Sequence, residues 1–191
     1  MLTVSDALLL ERLHRGDPTS FETLFARYYS RVYAVLFRLV GSRDEAEDLA
    51  QEVFLRLYRR PLGSGREHNL GAWLYRVATN LGYNHLRSQA RREHHQAATA
   101  LEATSGPGDP ADEVLRRVER AEVRAALAVL KPRQAQLLVL RHAGLSYAEV
   151  AEVLEIAPGS VGTLLARAER AFRDAYLTRS ESHPKGGEDD A

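Results

Sequence analysis

Trp73, Arg76, Asn80, Asn84, Arg87 and Arg91 recur at spacings of 3, 4, 4, 3 and 4. On an α-helix those positions share one side. One indole, two carboxamides and three guanidiniums make poor core material. They suit the grip of a nucleic-acid strand: guanidiniums meet phosphates, carboxamides meet base edges, and an aromatic ring stacks on an exposed base. The opposite side of the same stretch holds Leu70, Leu74, Val77, Ala78 and Leu81, which suits burial. Trp73 taken alone would serve equally as a core anchor. Its company on the wheel favours a functional face. Upstream, an acidic run from Asp44 to Glu52 opens another helix. By itself such a run is an ordinary solvated helix start, favoured by the dipole.

Charge placement supports a nucleic-acid reading. The 191 residues sum to zero net charge, but the charges are segregated. From Phe54 to Arg92 there are eight arginines against one acid, Glu67. From Glu93 to Glu113 there are five acids and no Lys or Arg. The absence of cysteine excludes disulfides, thiolate metal sites and a thiol switch within the chain. No apolar run approaches the ~18 residues of a membrane span, and no signal-peptide pattern opens the chain, so an intracellular, cytoplasmic protein without membrane insertion is expected. His94-His95 lacks a third ligand at metal spacing, so neither metal nor cofactor is expected. No Gly-rich phosphate loop or nucleophile elbow is present, which disfavours an enzyme.

The elements that must hold these residues are all helical. Ser5 caps a first helix that stops at Gly16. Asp17-Pro18 opens a second, which runs to Val40 and buries Phe21, Leu24, Phe25, Tyr28, Val32, Leu36 and Leu39. Tyr28, Tyr29 and Tyr33 are expected to pack. Ser42 and Glu45 form a capping box for a helix that ends at Arg60, before Pro61. A loop from Pro61 to His68 follows, and Asn69 caps the Trp73 helix, read as Ala72 to Arg92. Thr104 to Pro110 is the strongest linker signal. Beyond it lies a second helical unit, in which Ser146 and Glu149 form another capping box. A short helix to Leu154, a tight turn, and a longer helix opened by Pro158 and ending near Ala175 make a helix-turn-helix. Val150, Ala151, Leu154, Ile156, Val161 and Leu164 would pack its two helices together. The expected architecture is all-α. Two small domains, 1–95 and 112–177, are joined by a flexible acidic linker over 96–111, with a disordered tail over 178–191.

The order of these parts resembles a bacterial RNA polymerase sigma factor of the extracytoplasmic-function type, over about Asp17 to Tyr176. Ser20-Phe21-Glu22-Thr23-Leu24-Phe25 with Tyr28-Tyr29 resembles the family's first helix. Asp44 to Phe54 is similar to its polymerase-binding motif. Ala72 to Asn80 with Asn84, Leu86 and Arg87 resembles the segment that reads and melts the −10 element. Leu140 to Ala151 resembles the start of the −35-reading helix-turn-helix. The resemblance implies that Asp48, Leu49, Gln51, Glu52 and Phe54 bind core polymerase at its clamp helices. It implies that Arg66, His68, Asn69, Trp73, Arg76, Asn80, Asn84, Arg87 and Arg91 take the −10 strand. Ser160, Thr163, Arg167 and Arg170 would then meet the −35 element, while the C-terminal domain also grips the polymerase flap. It implies promoter DNA and an anti-sigma factor as partners, a linker along the RNA exit path, and no catalysis. Two duplex sites two helical turns apart lie ~70 Å from each other. The stretch from Glu93 to Ala111 extends to at most ~65 Å, so two domains plus this tether span the gap.

This chain departs from the family's pattern in the recognition helix. Gly162 stands where a lysine is common and Leu164 where an arginine is common. Glu155 replaces the usual turn glycine, and Ala157 replaces a capping hydroxyl. An internal helix glycine costs ~1 kcal/mol, and a lost cap a similar amount. Upstream recognition is therefore expected to rest on phosphate contacts, Arg167, Arg170 and groove shape. The alternative function is a stand-alone helix-turn-helix regulator, which would need neither the acidic helix nor the strand face.

Overall fold

The computed structural model describes residues 4–62, 69–97 and 111–182. All regular structure among them is helical. The helices are α1 (Asp6–His14), α2 (Pro18–Val40), α3 (Arg43–Arg59), α4 (Leu70–Ala97), α5 (Ala111–Val129), α6 (Pro132–His142), α7 (Tyr147–Leu154) and α8 (Val161–Ser182), with a 3-10 turn at Pro158–Ser160 before α8.

Local chemistry sets most helix ends. The Ser5 hydroxyl accepts from the Leu8 amide at the start of α1. At α2, Asp17 accepts from the Thr19 amide at 3.0 Å and Pro18 takes the first turn. Gly41 ends α2 in the left-handed region, φ 77°, which only glycine adopts without strain. Asn69 accepts from the Ala72 amide at 3.1 Å, the cap expected for α4. The Ser146–Glu149 box forms in both directions. The Ser42 box is only half made. Ser42 accepts from the Glu45 amide, but the Glu45 carboxylate turns away to the imidazole of His85, 3.1 Å off. The last helix also differs from expectation. Pro158 opens the 3-10 turn rather than α8 itself, and α8 continues past Ala175 to Ser182. Residues 178–182, expected in the tail, are therefore helical. The expected linker boundary also moves, because α4 runs to Ala97 and α5 begins at Ala111.

Helices α2, α3 and α4 form the N-terminal bundle, around Leu24, Leu36, Val53, Phe54, Leu57 and Leu74. The α2–α4 crossing is close because Gly82 has no side chain: a Cβ there would stand 2.7 Å from Leu39 Cδ1. Asp6 of α1 pairs with Arg27 and accepts from the Tyr28 hydroxyl, which docks α1 on α2. Burial and that carboxylate push the Tyr28 phenol up. Phe25, Tyr29, Tyr33 and Phe37 stack along α2, so these tyrosines pack as expected. In the C-terminal unit Leu140, Val150, Ala151, Leu154, Val161 and Leu165 are buried together, with Ile156 and Leu164 half-buried beside them.

The two bundles are in contact. Leu127, Leu130 and Val139 of α5, the turn after it and α6 join the core of the N-terminal bundle. The buried Tyr83 hydroxyl of α4 donates to the Leu130 carbonyl. Ala72 of α4 in turn packs within the helix-turn-helix core.

Candidate nucleic-acid and protein interfaces

Three surfaces were expected. The first is the acidic side of α3. Ala46, Ala50, Val53 and Leu57 are buried, and this apolar stripe turns Asp48 and Gln51 outward. Leu49 is half-buried against the core. Glu52, also partly covered, accepts from Arg56 Nε at 2.8 Å one turn on. Phe54 does not belong to this surface. It is 1 % exposed and its ring meets Phe21, Phe25 and Tyr29. A residue with no accessible face contacts no partner, so the expectation for Phe54 is corrected to a core role.

The second surface is α4. Leu70, Leu74 and Ala78 are buried, and Val77 and Leu81 half-buried, as the wheel requires. Asn84, Arg87 and Arg91 are exposed along one side. Trp73 is half-buried and packs against the core while retaining an accessible edge. Arg66 and His68 lie outside the described residues. Arg76 and Asn80 belong to this side of the helix, but the C-terminal unit engages both. Arg76 Nε donates to the Val153 carbonyl at 2.8 Å and Nη2 to the Glu152 carbonyl at 3.0 Å, while Nη1 pairs with the Glu155 carboxylate. Asn69 Nδ2 donates to Glu152 Oε2 at 2.8 Å. Gln136 Nε2 donates to Asn80 Oδ1 at 2.6 Å. Sequence reasoning missed Gln136, Glu152 and Glu155 as partners of this face. Glu155 alone carried a signal, standing where a glycine is usual. It sits at φ 52°, the left-handed conformation of a non-glycine residue among those described, which costs ~1–2 kcal/mol.

The third surface is α8. Ser160, Thr163, Arg167 and Arg170 are all exposed, and their spacing of 3, 4 and 3 puts them on one face. Val161, Leu165 and Ala168 hold the opposite face in the core. Gly162 is half-buried beside the Tyr147 ring. Ala157 makes no side-chain cap, as its composition requires.

The Sigma-70 region 2 family model matches residues 24–92, and the Sigma-70 region 4 model matches residues 120–172. The RNA polymerase sigma-H factor of Pseudomonas aeruginosa is 34% identical over 180 residues, covering 89% of this chain and 93% of that protein. The ECF RNA polymerase sigma-E factor of Escherichia coli is 31% identical, covering 88% and 93%. The chain belongs to the ECF RNA polymerase sigma factors. Its region 2 comprises most of α2, with α3 and the greater part of α4. Region 4 runs from within α5 to within α8. A solved structure of the sigma factor RpoE with the anti-sigma factor NepR from Bartonella quintana shares this sigma factor's fold, with a TM-score of 0.51 at 20% identity over 82% of this chain and 96% of that one. Among the described residues no helix is long and apolar enough to cross a membrane, and no group of three or more metal-ligating side chains gathers.

Proposed function

We propose that this sigma factor binds core RNA polymerase through the outward acidic face of α3, with Asp48, Gln51, Glu52 and the accessible edge of Leu49 as contacts. Its α4 side, together with Arg66, His68 and Asn69, takes the non-template strand of the −10 element. Ser160 of the 3-10 turn, with Thr163, Arg167 and Arg170 of α8, meets the −35 duplex. The clamp helices and flap of polymerase are the docking surfaces, and an anti-sigma protein is the regulatory partner. The sigma factor makes and breaks no bond, and acts in the cytoplasm beside polymerase.

The observation that carries this reading is the amphipathic split of α3. Its buried stripe of Ala46, Ala50, Val53 and Leu57 leaves Asp48 and Gln51 exposed on the outer side. Asp48→Arg with Glu52→Arg should abolish capture of core polymerase and run-off transcription while circular dichroism stays unchanged, because Asp48 is exposed and the Glu52–Arg56 contact is a solvent-facing i,i+4 pair worth ~0.3–0.5 kcal/mol. Wild-type capture by the folded double variant would reject the assignment. A stand-alone regulator is not favoured: such a protein would show duplex binding independent of polymerase and no response to this double variant.

A further inference from the structure

We propose that the C-terminal end of α7, with its cap residue Glu155, acts as an internal substitute for the promoter strand, closing Arg76 of α4 and the cap residue Asn69 to DNA until the two units part. The proposal rests on the assignment of α4 as the strand-binding face. All three guanidinium nitrogens of Arg76 are used by α7: two by main-chain carbonyls at its C-terminus, one by Glu155. The C-terminal end of a helix carries partial negative charge, so two carbonyls and a carboxylate present a guanidinium with what a phosphodiester presents. Glu152 gives Asn69 its second acceptor in the same place.

Three observations separate this contact from incidental packing. Two of the four acceptors are the carboxylates of Glu152 and Glu155, the only acidic residues from Val150 to Ala168, and the other two are the Glu152 and Val153 carbonyls. Glu155 holds a strained φ of 52° at the point where its carboxylate meets Arg76. The cleft between α4 and α7, about 490 Å³, is lined by Asn69, Trp73, Arg76, Glu152 and Glu155, so a base stacking on Trp73 would have to enter beside those two acids. Two elements ~70 Å apart on a promoter also cannot be met while the two units touch. Closed and DNA-bound forms therefore exclude each other on two grounds.

The test uses the full chain. Because it contains no cysteine, Arg43→Cys and Glu169→Cys allow clean spin labelling of the two units. Pulsed EPR distances and the anisotropy of a fluorescent −10 non-template oligonucleotide are compared for wild type, Glu152→Gln with Glu155→Gln, and Glu155→Gly. Apparent affinity scales with the fraction of open chain. Two partly exposed charge contacts then predict a gain of about two- to tenfold in strand affinity, together with a longer-distance population. Glu22→Gln with Asp174→Asn removes two exposed charges away from the contact between the units and should alter neither reading. Unchanged distances and affinity in the α7 variants would overturn the proposal. So would an equal gain in the charge control. Longer distances with no gain in affinity would also overturn it, and would trace the failure to the strand face assigned to α4 rather than to the contact.

Discussion

Replacing Phe54 separates its two possible roles. The ring is 1 % exposed and packs edge-on to Phe21 and against Phe25 and Tyr29 at centroid distances of 6.5, 4.8 and 6.2 Å. Phe54→Ala removes a buried ring from a site walled by other rings, which are too large to collapse into the space. A loss of ~3–5 kcal/mol is expected. For a chain of this size ~1 kcal/mol shifts the midpoint by ~2–4 °C, so the fall in Tm is about 6–20 °C. Phe54→Leu keeps most of the apolar volume and should cost less than ~1.5 kcal/mol. Thermal unfolding by circular dichroism measures both. Capture of core polymerase, at a temperature well below both midpoints, then reads binding alone. A core residue predicts that Phe54→Leu binds polymerase as the wild type does. A folded Phe54→Leu protein that fails to bind, or a Phe54→Ala protein with an unmoved midpoint, would refute the burial argument.

Three further outcomes follow from particular contacts. Glu149 accepts from the Ser146 amide and hydroxyl, both at 2.7 Å, and these bonds hold its carboxyl below the usual range. A lowered folded pKa gives stability that is present above the unfolded value, near 4.5, and lost as pH falls through the folded one. Glu149→Gln should thus lower the urea midpoint at pH 7 and flatten its decline below about pH 4.5; equal acid slopes in the two proteins would contradict this. Gly82→Ala gains ~1 kcal/mol of helix propensity but places a Cβ 2.7 Å from Leu39 Cδ1 and 3.2 Å from Leu36 Cδ2, both fully buried side chains that must shift to admit it. Overpacking costs ~1–3 kcal/mol, so denaturant titration should show net destabilisation of up to about 2 kcal/mol, and a stabilised variant would refute the close approach. Arg167→Ala should weaken duplex binding alike for all upstream sequences and reduce the salt slope by about one; a loss confined to one base position would show direct base reading instead.

Features set by local chemistry were legible in the sequence. Ser5, Asp17-Pro18, Asn69 and the Ser146–Glu149 pair act within three residues of themselves, so reading them requires only neighbours. The 3-residue and 4-residue spacing of apolar side chains likewise located the buried side of α4. Phe54 was legible too: Ala46, Ala50, Val53 and Phe54 fall on one helical stripe, but the motif match outweighed the periodicity. What stayed hidden depends on partners distant in the chain. Glu45 leaves its own capping box for His85, and Asn69 reaches a carboxylate 83 positions away. No local pattern encodes which helix will arrive opposite a polar face. Only Glu155 hinted at it, because a carboxylate in a glycine's conformation asks for a reason beyond the turn.

The core shared by the two units has a thermal consequence. Leu127, Leu130 and Val139 are buried with the residues of α2, α3 and α4. Separating the units wets part of that apolar surface, so opening carries a positive heat-capacity change. The association that keeps the chain closed is in this respect strongest at moderate warmth and fades on cooling, as apolar burial does. Wetting the polar contact between α4 and α7 contributes a heat-capacity change of the opposite sign, smaller per unit area. The balance between closed and open chain therefore shifts with temperature even when no partner is present, and cold favours the extended form.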